Sequence, residues 1–204
     1  MPGLLPRVQD ALLALRRDAQ WLSLSYKTGP GAGGLTKSMT TDTDKNSVVK
    51  PIPDGYHSLT PYLAVPDGPK AIAFYQEVFG AEVISRQDMP DGRVGQAELL
   101  FGNSMLQLSD QMPQIGLQAP NGEWVHSSLV HYVPDVDATY AKAVAAGAKP
   151  VEEVQTFMTG DRYGTVIDPF GHRWAILTKV EDVSREEADR RVQEWLDSQP
   201  EELA

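Results

Sequence analysis

One acidic side chain and two histidines are the residues best suited to acid–base or metal chemistry. Glu98 lies in the alternating stretch Val94 to Phe101, which is typical of a strand, and a buried carboxyl there would act as a general base. His57 and His126 lie close to other predicted strands, so the two rings and Glu98 could together hold a metal ion. Structural or solvated histidines are the alternative. Glu98 and His57 are therefore the candidate catalytic residues.

A second group of candidates is aromatic and polar, and it points to ligand binding. Aromatic walls with a few amides and hydroxyls suit a flat or amphiphilic small molecule. Arg162 would contact an anionic ligand unless it pairs with an acid close by. The same aromatic side chains could instead pack the core, Trp174 above all. These candidate ligand-binding residues are Tyr62, Gln96, Gln107, Trp124, Ser128, Arg162, Tyr163 and Trp174.

These residues are positioned by a stretch that occurs twice. Pro61 to Val83 predicts a strand, a turn and a helix that ends at Gly80. Val133-Pro134-Asp135 repeats Val65-Pro66-Asp67 at an offset of 68 (133 − 65), and Gly147-Ala148 repeats the helix end at an offset of 67 (147 − 80). The conserved order and spacing indicate a tandem duplication. Chance similarity between two strand–helix units is the alternative.

Each copy of this stretch is followed by further strands. The pattern predicts strands over 82–87, 94–101 and 105–108 in the first copy, and over 165–167 and 172–178 in the second. Each unit is therefore predicted to be βαβββ, with bounds 56–110 and 125–179. Since neither small sheet could bury its apolar face alone, we expect an α+β fold. Its two mixed sheets would form an open, concave, barrel-like cavity with the helices outside.

The flanking segments are predicted to be separate from this fold. Residues 1–55 read as an N-terminal extension and flexible linker, with a possible helix over 4–26. That helix could be a partner or dimer helix, a targeting segment, or part of an over-extended start upstream of Met39; a dispensable extension is favoured. Residues 184–204 predict a C-terminal helix and tail, begun by a capping box of Ser184 and Glu187. This helix would pack on its own domain or on a second copy.

Composition excludes several classes of function. The chain has 204 residues, no cysteine and a formal net charge of −10. Residues 1–50 carry seven basic and four acidic side chains, so the rest of the chain carries −13 (−10 − 3). Such an acidic surface disfavours nucleic-acid partners, and no apolar run is long enough for a membrane span. The lack of cysteine rules out disulfides and Cys-ligated metals, and it fits a cytoplasmic protein.

Several motifs resemble the vicinal oxygen chelate superfamily, which includes glyoxalase I, bleomycin-resistance proteins and extradiol dioxygenases. The paired βαβββ units carry the resemblance, with the turn Asp168-Pro169-Phe170-Gly171-His172 and the motif Thr60-Pro61-Tyr62-Leu63. Gly55-Tyr56-His57 and Gly160-Asp161-Arg162 look like the pattern of its PhnB-like subgroup. The resemblance covers residues 53–192 and implies a single domain over 56–183. It also implies a small-molecule ligand and a homodimer, with His172 shaping its turn.

The resemblance further implies where a metal site would lie. Metal-dependent members use a histidine on the first strand of each half and a carboxylate late in each half. The matching positions here are Thr60 and Ser128, then Gln107 and Ala175. Amides and hydroxyls are poor ligands for a divalent ion, and Ala offers no ligand atom. We therefore expect no metal site of the family type and no cofactor, with a divalent metal at a displaced site as the alternative; Thr60 joins the ligand-binding candidates.

Three functions stay open at this point. The first is a metal-free small-molecule-binding protein that sequesters a drug or metabolite, and the missing metal ligands favour it. The second is an enzyme, a glyoxalase-like lyase or isomerase or a dioxygenase, with a displaced metal site or none. The third is a structural or regulatory protein that acts through the N-terminal helix. The fold alone does not choose between them, because one scaffold hosts many functions.

Overall fold

A computed structural model of the chain describes residues 49–122 and 125–198. The chain divides into two units, Met1–Pro51 and Ile52–Ala204, and every element below belongs to the second. The predicted helix over 4–26, the linker up to residue 48, Trp124 and the tail from residue 199 lie outside the described residues. Among the described residues, no helix has the length and apolar character needed to cross a bilayer.

The first half of the second unit has one helix and four strands. Strand β1 leads into helix α1, and three further strands follow before a short 3-10 turn at Pro113–Ile115. Strand β4 is longer at both ends than the predicted 105–108. The elements are β1 (Tyr62–Val65), α1 (Gly68–Phe79), β2 (Glu82–Asp88), β3 (Val94–Phe101) and β4 (Ser104–Asp110).

The second half repeats the same order and adds a final helix. Strand β7 begins four residues before the predicted 165–167, and the predicted C-terminal helix is present. The elements are β5 (Ser128–Tyr132), α2 (Val136–Ala145), β6 (Lys149–Thr156), β7 (Asp161–Ile167), β8 (Arg173–Lys179) and α3 (Arg185–Ser198).

The two halves have the same sheet topology. The strand order is β1-β4-β3-β2 in the first sheet and β5-β8-β7-β6 in the second. The first strand of each half pairs parallel with the last, and the other neighbours pair antiparallel. Two mixed sheets with three helices make an α+β fold, as predicted, and the sheets stay separate instead of closing into a barrel.

Helix α1 ends at Gly80, as the sequence predicts, whereas α2 ends at Ala145, before the predicted Gly147. Asp67 caps α1, because its carboxylate accepts a hydrogen bond from the backbone N of Lys70 at 3.1 Å, and Gly80 ends that helix at φ 67°. Asp135 caps α2 in the same way through the backbone N of Ala138, at 2.9 Å. The equivalent aspartates and the shared topology support a duplicated unit.

Both halves share one hydrophobic core. The aromatic face of α1 packs against its own sheet and also against rings of the second half. The ring centroids of Phe79 and Trp174 are 4.6 Å apart, those of Tyr75 and Trp174 are 5.4 Å apart, and those of Phe74 and Phe170 are 5.9 Å apart. The face of α1 that the helical pattern predicts as apolar therefore packs against both halves.

Each sheet turns one face into this core and leaves the other less covered. On β8, Trp174 and Ile176 are buried, whereas Arg173 and Ala175 are partly exposed. On β5, Ser128 is exposed and His131 is partly buried, so these two side chains lie on opposite faces of the strand. We call the less covered face of each sheet its outer face.

The predicted turn at 168–172 joins the halves through a buried carboxylate. Asp168 is 3% exposed and accepts hydrogen bonds from the Tyr75 hydroxyl at 2.7 Å and from Trp174 Nε1 at 2.9 Å. It also accepts from the backbone N atoms of Phe170 and His172. The His172 ring lies 3.0 Å from the carbonyl oxygen of Ala64 on β1. His172 therefore shapes the turn and also fixes it to the first half.

Candidate functional site

Four side chains form a row across the outer face of the first sheet. The strand register places Tyr62 beside Gln107, Gln107 beside Glu98, and Glu98 beside Ser85. Residues paired in this way point to the same face of a sheet. Tyr62 is exposed and the other three are half-buried. We call Tyr62, Gln107, Glu98 and Ser85 the polar row.

Hydrogen bonds hold the polar row together around the carboxylate. Ser85 Oγ donates to Glu98 Oε2 at 2.8 Å, and Gln107 Nε2 lies 3.4 Å from Glu98 Oε1. Gln107 Nε2 also donates to the hydroxyl oxygen of Tyr56 at 3.3 Å. Partial burial, then the hydrogen bond with Glu98, raises the pKa of Tyr56 above its usual value. The row therefore holds a fixed carboxylate beside two phenol rings, an arrangement that can orient a hydroxyl or N–H of a ligand.

The second sheet carries a related hydroxyl–carboxylate pair, in which the carboxylate and the hydroxyl have exchanged strands. Glu152 and Thr165 lie 67 residues after Ser85 and Glu98 respectively (152 − 85 and 165 − 98), and the Thr165 hydroxyl donates to the Glu152 carboxylate. The carboxylate of Glu152 also pairs with Arg173 at 2.9 Å. The duplicated halves thus keep a hydroxyl–carboxylate pair in one place, and each half supplies the carboxylate from a different strand.

Ser128 belongs to this second outer face. Its hydroxyl oxygen accepts a hydrogen bond of 2.7 Å from Arg173 Nη1, so the guanidinium joins Ser128 to Glu152. Arg173 occupies the position that pairs with Ser128 across β5 and β8. This face therefore presents an ion pair of Arg173 with Glu152 beside Ser128, in contrast to the Glu98 carboxylate held by neutral side chains on the first sheet.

The residues that the resemblance assigns to the metal positions of the family do not fit a divalent ion. The amide nitrogen of Gln107 is directed at two oxygen atoms, Thr60 precedes β1, Ser128 accepts from a guanidinium, and Ala175 has no ligand atom. Hydroxyls and amides are weak donors to such ions. Within the described ranges, no group of three or more His, Asp or Glu side chains could hold a metal ion, so His57, His126 and Glu98 are not brought together.

The remaining candidates are spread over the molecule. His57 lines a cavity between the halves, His126 lines a second one beside Tyr62, and Trp174 is 2% exposed within the core. Gln96 is half-buried on β3 and pairs in register with β2. Trp124 lies outside the described residues.

Two candidates near the second sheet have partners of their own. Arg162 makes two hydrogen bonds to Asp137 of α2, at 2.6 and 2.7 Å, and this pairing raises the pKa of the guanidinium further above its usual value. The acid that holds Arg162 is therefore on the helix and not in its own turn. The Tyr163 hydroxyl oxygen accepts from Gln155 Nε2 at 3.2 Å.

Sequence reasoning missed Tyr56, Ser85, Glu152 and Arg173. Tyr56 and Ser85 enter the site only through contacts with residues 51 and 13 positions away. The repeat offset of 67 was the available signal for Ser85 and Glu152, because it aligns them with each other. Arg173 follows directly on the turn that ends at His172, and nothing in its local pattern marks it.

Comparison with known proteins agrees with this architecture. Residues 55–176 match the family described as Glyoxalase/Bleomycin resistance protein/Dioxygenase superfamily. An uncharacterized protein of Mycobacterium bovis is 36% identical over 134 residues, which is 64% of this chain and 88% of that protein.

Two solved structures show the same fold. A gene product of Arabidopsis thaliana is 27% identical to this chain, with a TM-score of 0.50. The match covers 59% of this chain and 98% of the Arabidopsis chain. The fosfomycin resistance protein FosX of Listeria monocytogenes, solved with Mn(II) and sulfate, is 17% identical, with a TM-score of 0.50 over 67% of this chain and 97% of its own. At that identity FosX supports the fold alone. Membership of the PhnB-like subgroup stays a prediction.

Proposed function

This chain belongs to the glyoxalase/bleomycin resistance protein/dioxygenase superfamily, and we propose that it binds a small organic molecule on the polar row without a metal ion. The observation that carries the proposal is the Gln107–Glu98–Ser85 network. By the resemblance, the Gln107 amide takes the place of a carboxylate ligand of metal-dependent members, and it is held by its neighbours on the outer face of a sheet. Such a row recognises polar groups directly instead of through a metal.

The chemistry of the row selects the ligand class. The carboxylate of Glu98 accepts hydrogen bonds, so it suits ligand hydroxyl, amide N–H or ammonium groups. The Tyr62 ring is 41% exposed and offers an apolar surface at the end of the row. An amphiphilic molecule with one ring and adjacent donors fits both features, as expected for sequestration of a drug or metabolite.

A ligand screen on tag-free protein in a chelator tests this function. Thermal shift should find compounds that raise the melting temperature in EDTA, because binding to the folded state stabilises it. Glu98→Gln should lower the affinity for such a ligand about tenfold or more, since the substitution replaces a charged acceptor by a neutral amide. Glu77→Gln, a matched change at an exposed position of α1, should leave binding unchanged. Equal affinity for wild type and Glu98→Gln would refute the site.

The enzyme alternative predicts a different result. A lyase, isomerase or dioxygenase with a displaced metal would lose its ligand or its activity in EDTA and regain it with one divalent ion. Glu98 would then be its base. Metal-independent binding with no turnover of the bound compound decides for the binding protein.

The homodimer and the cytoplasmic location are kept as parts of the proposal. Among the described residues, Tyr62, Val130 and Tyr132 are large side chains on the outer faces, exposed by 41%, 62% and 59% respectively. A second copy packed against the margins of these faces would remove apolar area from water and leave the polar row open to a ligand. Light scattering of the full chain should give twice the mass of one chain, and a monomer at all concentrations would contradict the dimer.

A further inference from the structure

A cavity of about 530 Å³ opens between the two halves, apart from the polar row. It lies between the turn that joins β3 to β4 and the edge strand β5. Its volume is within the range of small-molecule sites. We call this cavity the cleft; its apolar walls are Leu59, Phe101, Met105, Leu106, Leu129 and Trp174. It shares no residue with the polar row.

The cleft is uncharged in a strongly acidic chain. Among the described residues that line it, none is Asp, Glu, Lys or Arg, although the chain carries a net charge of −10. The rings of Phe101 and Trp174 are stacked, with centroids 5.6 Å apart and planes inclined by 20°. Because these two rings stack on each other, a guest would lie against the pair and not between them, and an aromatic wall favours a flat, neutral guest.

One polar atom at the cleft lacks a partner. His131 lines the cleft, and its Nδ1 is buried with no hydrogen bond to any described residue. Its ring contacts are aromatic: Phe79 at 5.3 Å and Phe101 at 5.6 Å, both edge to face. Because a buried polar atom without a partner costs free energy, a guest that displaces the side chains covering Nδ1 and bonds to it would recover that cost.

The protonation state of His131 defines what that ligand must offer. Burial lowers the pKa of His131, and the ring is therefore neutral at physiological pH. A neutral imidazole has one nitrogen that accepts and one that donates. In the tautomer that carries its proton on Nε2, the ring accepts a hydrogen bond at Nδ1 from a guest, and an apolar cleft excludes charged guests.

We propose that the cleft is a second binding site, which takes a flat, uncharged aromatic molecule bearing one hydroxyl or N–H group that donates to His131. The apolar walls hold the ring of the guest, and His131 selects its donor. The site functions independently of Glu98 and of any ligand on the polar row.

Phenol and toluene test this proposal on the unmodified, tag-free chain. They have nearly the same shape, and only phenol can donate to the imidazole. Nitrogen NMR of ¹⁵N-histidine protein should show the His131 resonance moving with phenol, and phenol should bind about five- to tenfold more tightly than toluene. Equal affinities, or a His131 resonance that does not move, would overturn the proposal.

Two ring-for-ring variants locate the site. His131→Phe should bind phenol no better than toluene, whereas His126→Phe, which lines a different cavity, should keep the preference. Phenol preference that survives in His131→Phe overturns the proposal. So does exclusion of phenol from wild type by self-association, because the cleft would then be an interface between copies. The Glu98→Gln variant should retain phenol binding, which separates this site from the polar row.

Discussion

Removing the Tyr75 hydroxyl should loosen the joint between the two halves. Tyr75 lies on α1 in the first half, has no exposed surface, and donates to Asp168 in the second half at 2.7 Å. Tyr75→Phe deletes this bond and keeps the ring in the core. Asp168 retains three donors, one from the Trp174 indole and two from backbone N–H groups. The buried carboxylate therefore loses one hydrogen bond and keeps three.

The expected loss follows from the type of bond. A hydrogen bond to a charged group contributes about 1.5–3 kcal/mol, so Tyr75→Phe should lower the unfolding free energy by about that amount. For a domain of this size, each kcal/mol shifts the melting temperature by about 2–4 °C, which gives a decrease of roughly 3–12 °C.

The effect should also depend on pH. Burial, then the charge of Asp168, raises the pKa of Tyr75 well above its ordinary value in the folded chain. The unfolded chain releases this proton near pH 10, so the stability from this hydroxyl is fully present below about pH 10 and is lost as the pH rises further. The difference between wild type and Tyr75→Phe should therefore shrink above that pH.

Urea unfolding at neutral and alkaline pH measures both effects. Tyr62→Phe is the matched control, because Tyr62 is 41% exposed on the outer face, and its stability should equal that of wild type within about 0.5 kcal/mol. If Tyr75→Phe is as stable as wild type at neutral pH, or if the difference widens above pH 10, the account of this joint is wrong.

Two further predictions concern the backbone and the C-terminal helix. In urea unfolding, Gly160→Ala should lower the unfolding free energy by at least about 1 kcal/mol more than Gly55→Ala does. Both glycines have a left-handed φ, but of the two only Gly160 would bring a Cβ into collision with the carbonyl of Glu181. Equal losses of stability in the two variants would contradict this collision. The side-chain hydrogen bonds of Arg190 and Arg191 lower the pKa of Glu187 to about 2, so carbon NMR should show its carboxyl titrating there, and a midpoint near 4 would mean that these pairs do not form in solution.

The repeated architecture was predictable because its signals are local. An aspartate cap and an apolar helical face recur in fixed order, a glycine follows each helix within two residues, and each signal acts over a few residues. The capping contact of α3 was also predictable from Ser184 and Glu187, and in the structure Ser184 Oγ accepts a hydrogen bond from the backbone N of Glu187 at 3.2 Å. Element ends were less accurate: β7 begins at Asp161, because sheet pairing with β8 extends it beyond its apolar core.

The site was only partly predictable because it depends on pairing between distant strands. Glu98, Gln107 and Tyr62 were each proposed, yet their assembly into one row follows from the register of three strand pairs. Trp174 shows the opposite case. Alternation along β8 separates it from Ala175, but only the packing of α1 from the first half decides which of the two faces is buried. Contacts of that kind have no local signature.

The metal content of tag-free protein tests the central claim most directly. The full chain would be dialysed against divalent ions, then against buffer, and analysed for elements. If the polar row binds its ligand without a metal ion, the protein should hold no stoichiometric metal. Ligand-induced thermal shifts should then be the same with and without EDTA. About one equivalent of metal per chain, lost in Glu98→Gln, would contradict it and assign the polar row to a metal-dependent enzyme.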